Sequence, residues 1–161
     1  MAEELLFRKD VKKELTWDLS LIYKDEDALM ADAARLESFT AQLEKDYKGR
    51  LDSADRINEC LDKLREIYGI VTLVGNYCEL ATSVDYYDTH NMELAGRMNR
   101  RISECMSSLS FIDSELSAKS DELINEAAQA SKENANYLKE VLRGKPHLLS
   151  PETEKVLKAL S

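Results

Sequence analysis

Glycine and proline are scarce, five and two among 161 residues, well below ordinary usage. The charged third of the chain sits instead in helix-favouring Glu, Lys and Arg, beside many Ala and Leu, so the composition points to an all-α fold. The five glycines form neither Gly-x-Gly-x-x-Gly nor a phosphate loop, which removes both standard nucleotide sites. Positive charge is also short. The net charge is -9, and the only basic cluster is "RMNRR" (Arg97 to Arg101). Phosphate neutralisation therefore cannot drive nucleic-acid binding, and an anionic membrane surface is disfavoured. No stretch reaches the eighteen or so uncharged apolar residues of a membrane span, and the amino terminus has no signal-peptide block. The three cysteines, Cys60, Cys78 and Cys105, are odd in number and scattered, with no Cys-x-x-Cys. They read as reduced core thiols, and the expected location is cytoplasmic. Internal repeats are absent, so a solenoid is not indicated.

What is present is helical periodicity. Residues 1–16 read as a charged lead-in. Trp17, Leu19, Leu21, Ile22 and Tyr23 then form an apolar anchor, with Trp17 and Tyr23 expected to pack on the long helices. A helix is predicted over about 25–48, with Asp25 as N-cap, a stripe of Leu29, Ala33, Leu36, Leu43 and Tyr47, and Gly49 as a left-handed cap. Ser53 starts a second helix to about residue 83. Its stripe is Ile57, Leu61, Leu64, Tyr68 and Val71, and "IYGIVTLVGNYCELA" is expected to be the buried centre. Gly69 and Gly75 within it suggest a kink or a close neighbour. After the turn "SVDYYDTHN", a third helix carries Ala95, Met98, Ile102, Cys105, Leu109, Ile112 and Leu116 as one stripe, and the pair makes an antiparallel hairpin. A fourth segment begins near Ser120, with Tyr137, Leu138, Val141 and Leu142 as buried points and Gly144 as its cap. The architecture expected is a bundle of long antiparallel helices.

Candidate chemistry is thin. His90 and His147 are the only histidines, and neither belongs to the His-Glu-x-x-His that places two imidazoles on one helix face beside a metal. Asp85, Asp88 and His90 have ligand chemistry, but acids, Asn and Thr are also ordinary turn formers. Arg97 and Arg101, four residues apart, could hold a carboxylate. Tyr68, Tyr77, Tyr86 and Tyr87 could line a groove for peptide side chains or bridge helices.

Two stretches are more specific. "TWDLSLIYKDEDAL" supplies Trp17, Leu19, Ile22 and Tyr23, and "NYLKEVLRGKPHLLSPETEKVLKALS" supplies Arg143, Lys145, Pro146, His147, Leu149, Ser150, Glu152 and Glu154. Both closely resemble the N-terminal region of the oligoendopeptidase F type within the thimet-type (M3) zinc metallopeptidases. The resemblance implies residues 1–24 as lead-in and Trp anchor, 25–145 as the helical N-terminal domain, and 146–161 as the start of a linker helix into a missing C-terminal catalytic domain. It further implies a cytoplasmic metalloendopeptidase that hydrolyses internal bonds of short peptides. Zinc in that parent enzyme is held by His-Glu-x-x-His and a later Glu, none of which this chain contains. The lobe itself carries no catalytic or metal residue on this reading, and helps to form the substrate channel. Tyr86 and Tyr87 are the channel candidates. Its implied partners are oligopeptide substrates and the catalytic domain, with no nucleic acid and no membrane. The alternative is a freestanding helical module for protein–protein interaction.

Overall fold

The computed structural model describes residues 10–85 and 87–147, all of them helix, turn or connecting chain with no strand among them. Six α-helices follow in order: α1 Glu26–Tyr47, α2 Ala54–Val84, α3 Thr89–Ser108, α4 Phe111–Ala118, α5 Asp121–Ala130 and α6 Lys132–Gly144. The all-α bundle expected from composition and periodicity is the fold observed. No helix among the described residues is long and apolar enough to cross a membrane. The chain divides into two compact units. Of the described residues, one holds those up to Glu44 with those from Leu64 to Leu109, the other Lys45–Lys63 with those from Ser110 onward, so α1 and α2 contribute to both.

In the first unit, Asp25 opens α1 by accepting from Ala28 N at 2.8 Å. Leu29, Ala33, Leu36 and Leu43 are all but inaccessible. Glu26 on α1 meets His90 and Arg97 on α3 at 2.8 and 3.2 Å, and Glu37 further along meets Arg101 at 2.5 Å. Contacts in the same order along both helices mean that α1 and α3 run in the same direction, with α2 returning between them in sequence.

α2 extends for 31 residues, about 45 Å at the rise of an α-helix. Its buried stripe is Leu64, Ile67, Ile70, Val74, Cys78 and Ala81. The expectation of a centre buried all round is corrected: Tyr68 is 48% and Leu73 46% exposed. A helix with packed neighbours on one side covers a single stripe, and the remaining apolar residues stay in water. Nor does either internal glycine answer a close neighbour, because a Cβ at Gly69 or Gly75 would meet nothing within 4 Å.

The anchor divides in two. Tyr23 is buried, its hydroxyl donating to Asp32 Oδ2 at 2.9 Å and its ring meeting that of Tyr77 edge-on, centroids 5.6 Å apart. Trp17, expected to pack beside it, is 71% exposed. The cause is local: Asp18 accepts from Ser20 N (3.1 Å) and Ser20 Oγ (2.6 Å), capping a 3₁₀ turn at Leu19–Leu21 that brings Tyr23 to the helices and leaves Trp17 outside.

In the second unit, Gly49 takes φ +73°, the left-handed conformation expected after α1. Its N–H donates to Glu115 Oε1 at 2.6 Å. Arg56 stacks on the Tyr47 ring at 4.3 Å and donates to Asp46 O at 2.7 Å, while Ser53 Oγ caps α2 by accepting from Arg56 N at 3.3 Å. Phe111, Ile112, Leu116, Ile124, Ala127 and Leu138 form the core.

Two boundaries differ from the sequence reading. The stripe from Ala95 to Leu116 belongs to two helices, because Leu109 N turns back to Met106 O and Ser107 O, tightening the end of α3. Gly144 does not cap α6. The chain continues through Lys145, with φ -50°, into a 3₁₀ turn to His147, and Lys145 Nζ is held by Lys119 O (2.5 Å) and Asp121 Oδ1 (2.7 Å). Ser150, Glu152 and the linker helix start lie outside the described residues.

Candidate functional site

The turn between α2 and α3 uses its polar side chains on itself. Asp85 Oδ1 accepts from Tyr87 N at 3.0 Å, and Asp88 caps α3 by accepting from Asn91 N at 3.2 Å and Asn91 Nδ2 at 2.9 Å. His90 is engaged by Glu26. The candidate metal-type residues of this turn are therefore turn and inter-helix bonds. Tyr87 is 84% exposed; Tyr86 lies outside the described residues. Among the described tyrosines, Tyr77 turns its ring to Tyr23 while Tyr68 is exposed on α2.

Arg97 and Arg101 hold carboxylates, as their spacing suggested, but those of Glu26 and Glu37. The Arg101 hydrogen bond holds the Glu37 carboxyl below its usual range. Beside them, Glu93, Gly96, Arg97, Arg100 and Arg101 line an open groove of about 700 Å³ along α3. A second hollow of about 400 Å³ lies between α2 and α3, where Gly75, Asn76, Thr82, Ala95 and Asn99 leave room.

Cys60, Cys78 and Cys105 are buried and free. Burial pushes all three thiols up, Cys60 to about 12 with the nearby Glu115 carboxylate adding to the effect. A thiol held protonated is neither nucleophile nor metal ligand at neutral pH. Among the described residues no group of three or more His, Cys, Asp or Glu could hold a metal ion.

Sequence reading missed a buried amide. Asn134, 3% exposed, donates to Asn58 Oδ1 at 2.9 Å and Asp62 Oδ1 at 3.1 Å, and Asn58 Nδ2 donates to Ala127 O at 3.0 Å. Its position four residues before Leu138 on α6 was the available signal, because that spacing places both on one face.

Comparison with known proteins places this geometry. The family model for the N-terminal region of M3 peptidases, described as oligopeptidase F, matches residues 115–161. Oligoendopeptidase F (plasmid) of Lactococcus lactis subsp. cremoris is 25% identical over 156 residues, covering 94% of this chain and 26% of that protein. Oligopeptidase PepF of Bacillus subtilis (strain 168) is 25% identical over 163 residues, covering 97% of this chain and 24% of its own length. A crystal structure of a presumed peptidase from Chlamydophila abortus superposes with a TM-score of 0.82 over 98% of this chain and 27% of that one, at 20% identity, which establishes the likeness of fold. This chain thus spans about a quarter of the length of the relatives it matches. It is similar to the N-terminal region of M3 peptidases of the oligoendopeptidase F type.

Proposed function

We propose that this chain is the non-catalytic N-terminal lobe of an oligoendopeptidase F-like zinc metalloendopeptidase of the cytoplasm, and that it forms one wall of the channel holding oligopeptide substrates. The observation that carries this reading is the near-complete alignment of the chain to about a quarter of peptidases named for oligopeptides. Zinc and its His-Glu-x-x-His belong, on this reading, to a catalytic domain beyond Ser161. Bound there, zinc would supply the Lewis acid and the activated water. The lobe would hold the peptide in place and exclude water, which raises the rate without any bond chemistry of its own. Tyr86 and Tyr87 are the side chains proposed to meet the peptide, and Tyr87 is solvent-exposed.

The test is made in the intact parent protein. Tyr87→Ala is expected to change the ratio of kcat/KM between longer and shorter peptides by about three- to tenfold, the range of a lost aromatic contact, with zinc content unchanged. An unaltered ratio overturns the channel role. A reading frame ending at Ser161 overturns the excised-lobe reading in favour of a freestanding interaction module.

A further inference from the structure

We infer that the segment bearing Leu15, Trp17 and Leu21 is the contact through which this lobe docks on the remainder of a longer polypeptide. The three side chains are 73%, 71% and 86% exposed within seven residues, and they are three of the seven large apolar side chains exposed among the described residues. Two more, Tyr87 and Met92, flank His90, whose Nε2 lies 2.8 Å from Glu26 Oε2, so they occupy the same end of this unit. Clustered apolar exposure of this kind marks an interaction surface.

The segment is also locally built. Leu15 N donates to Lys12 O at 2.9 Å, Ile22 N to Leu19 O at 3.0 Å and Tyr23 N to Leu19 O at 3.2 Å, and Asp18 fixes the turn between. A preformed apolar display loses less entropy on docking than a disordered one. The occupant follows from length and charge. The relatives carry about three quarters of their chain outside this region, enough for a large domain surface. A second copy is disfavoured, because the whole chain is at -9, so two copies repel. The docking surface is accordingly apolar. This inference rests on the excised-lobe reading.

Trp17 is the sole tryptophan of the chain, which makes it a direct reporter. The 161-residue chain and the intact parent are labelled with 5-fluorotryptophan, and the Trp17 resonance is assigned in each by its loss in Trp17→Phe. The expected result is a large H₂O/D₂O isotope shift in the chain alone, independent of concentration, and its loss in the parent. Trp17→Ala should lower the parent's unfolding temperature by several degrees and leave that of the chain alone within about one degree. An isotope shift that persists in the parent, protection that grows with concentration of the chain alone, or a reading frame ending at Ser161 overturns the inference. Protection of Trp17 in a parent whose Tyr87→Ala variant shows no length effect retains the contact and removes only the channel role.

Discussion

Cys60 is fully buried, and burial with Glu115 nearby raises its thiol from the ordinary 9.0 to about 12. Above pH 9 the unfolded chain releases this proton while the folded chain keeps it, so the folded state binds more protons and stability falls as pH rises. The contribution is whole below pH 9 and is lost toward pH 12. Cys60→Ala removes that titration at the cost of a small cavity. Its stability deficit against the parent sequence, read from urea midpoints, should therefore narrow by about 2 kcal/mol between pH 8 and pH 10.5; a deficit equal at both pH values would refute the account. The burial of this cysteine was legible, since it falls within a helical apolar pattern. The exposure of Trp17 was not, because hydrophobicity indicates that a side chain is better covered and not whether the covering surface is in the same chain. Asn134 was missed for the opposite reason: a polar residue on an apolar face becomes a core residue only once Asn58 and Asp62 arrive from α2, 76 and 72 residues away in sequence.

At the scale of the element, glycines with the same side chain have opposite roles. Gly49 stands at φ +73°, where an L-residue is strained by about 1–2 kcal/mol, so Gly49→Ala should lower the urea midpoint. Gly69 is interior to α2, and a Cβ there would meet nothing within 4 Å; Gly69→Ala should stabilise by up to about 1 kcal/mol. Ser120→Ala, which removes the acceptor of Leu123 N at 3.3 Å, should cost about 1 kcal/mol. If Gly49→Ala and Gly69→Ala shift the midpoint in the same direction, the backbone explanation fails. Starts of helices were legible where a side chain does the capping, as at Asp25, Ser53 and Ser120. Ends were less so. The close of α3 at Leu109 is made by backbone N–H groups alone, and the passage through Gly144 depends on Lys145 reaching Lys119 and Asp121. Neither leaves a mark in local sequence, and the 3.6-residue periodicity ran on across the first.

For the whole molecule, the decisive property is how its metal-binding side chains are distributed. Zinc needs several deprotonated ligands converging at about 2.0–2.3 Å. Here burial keeps the Cys60, Cys78 and Cys105 thiols protonated, and His90 is taken by Glu26. Recruiting a buried thiol would open the core, so binding energy would be consumed by local unfolding. The 161-residue chain, dialysed after zinc exposure, is expected to retain well under one zinc per chain by metal analysis. Incubated with short peptides, it is expected to release no new amino termini above a no-protein control, with or without chelator. Stoichiometric zinc, or hydrolysis that a chelator abolishes, would show that a catalytic centre assembles within these residues, and the assignment of all bond chemistry to a separate domain would fall with it.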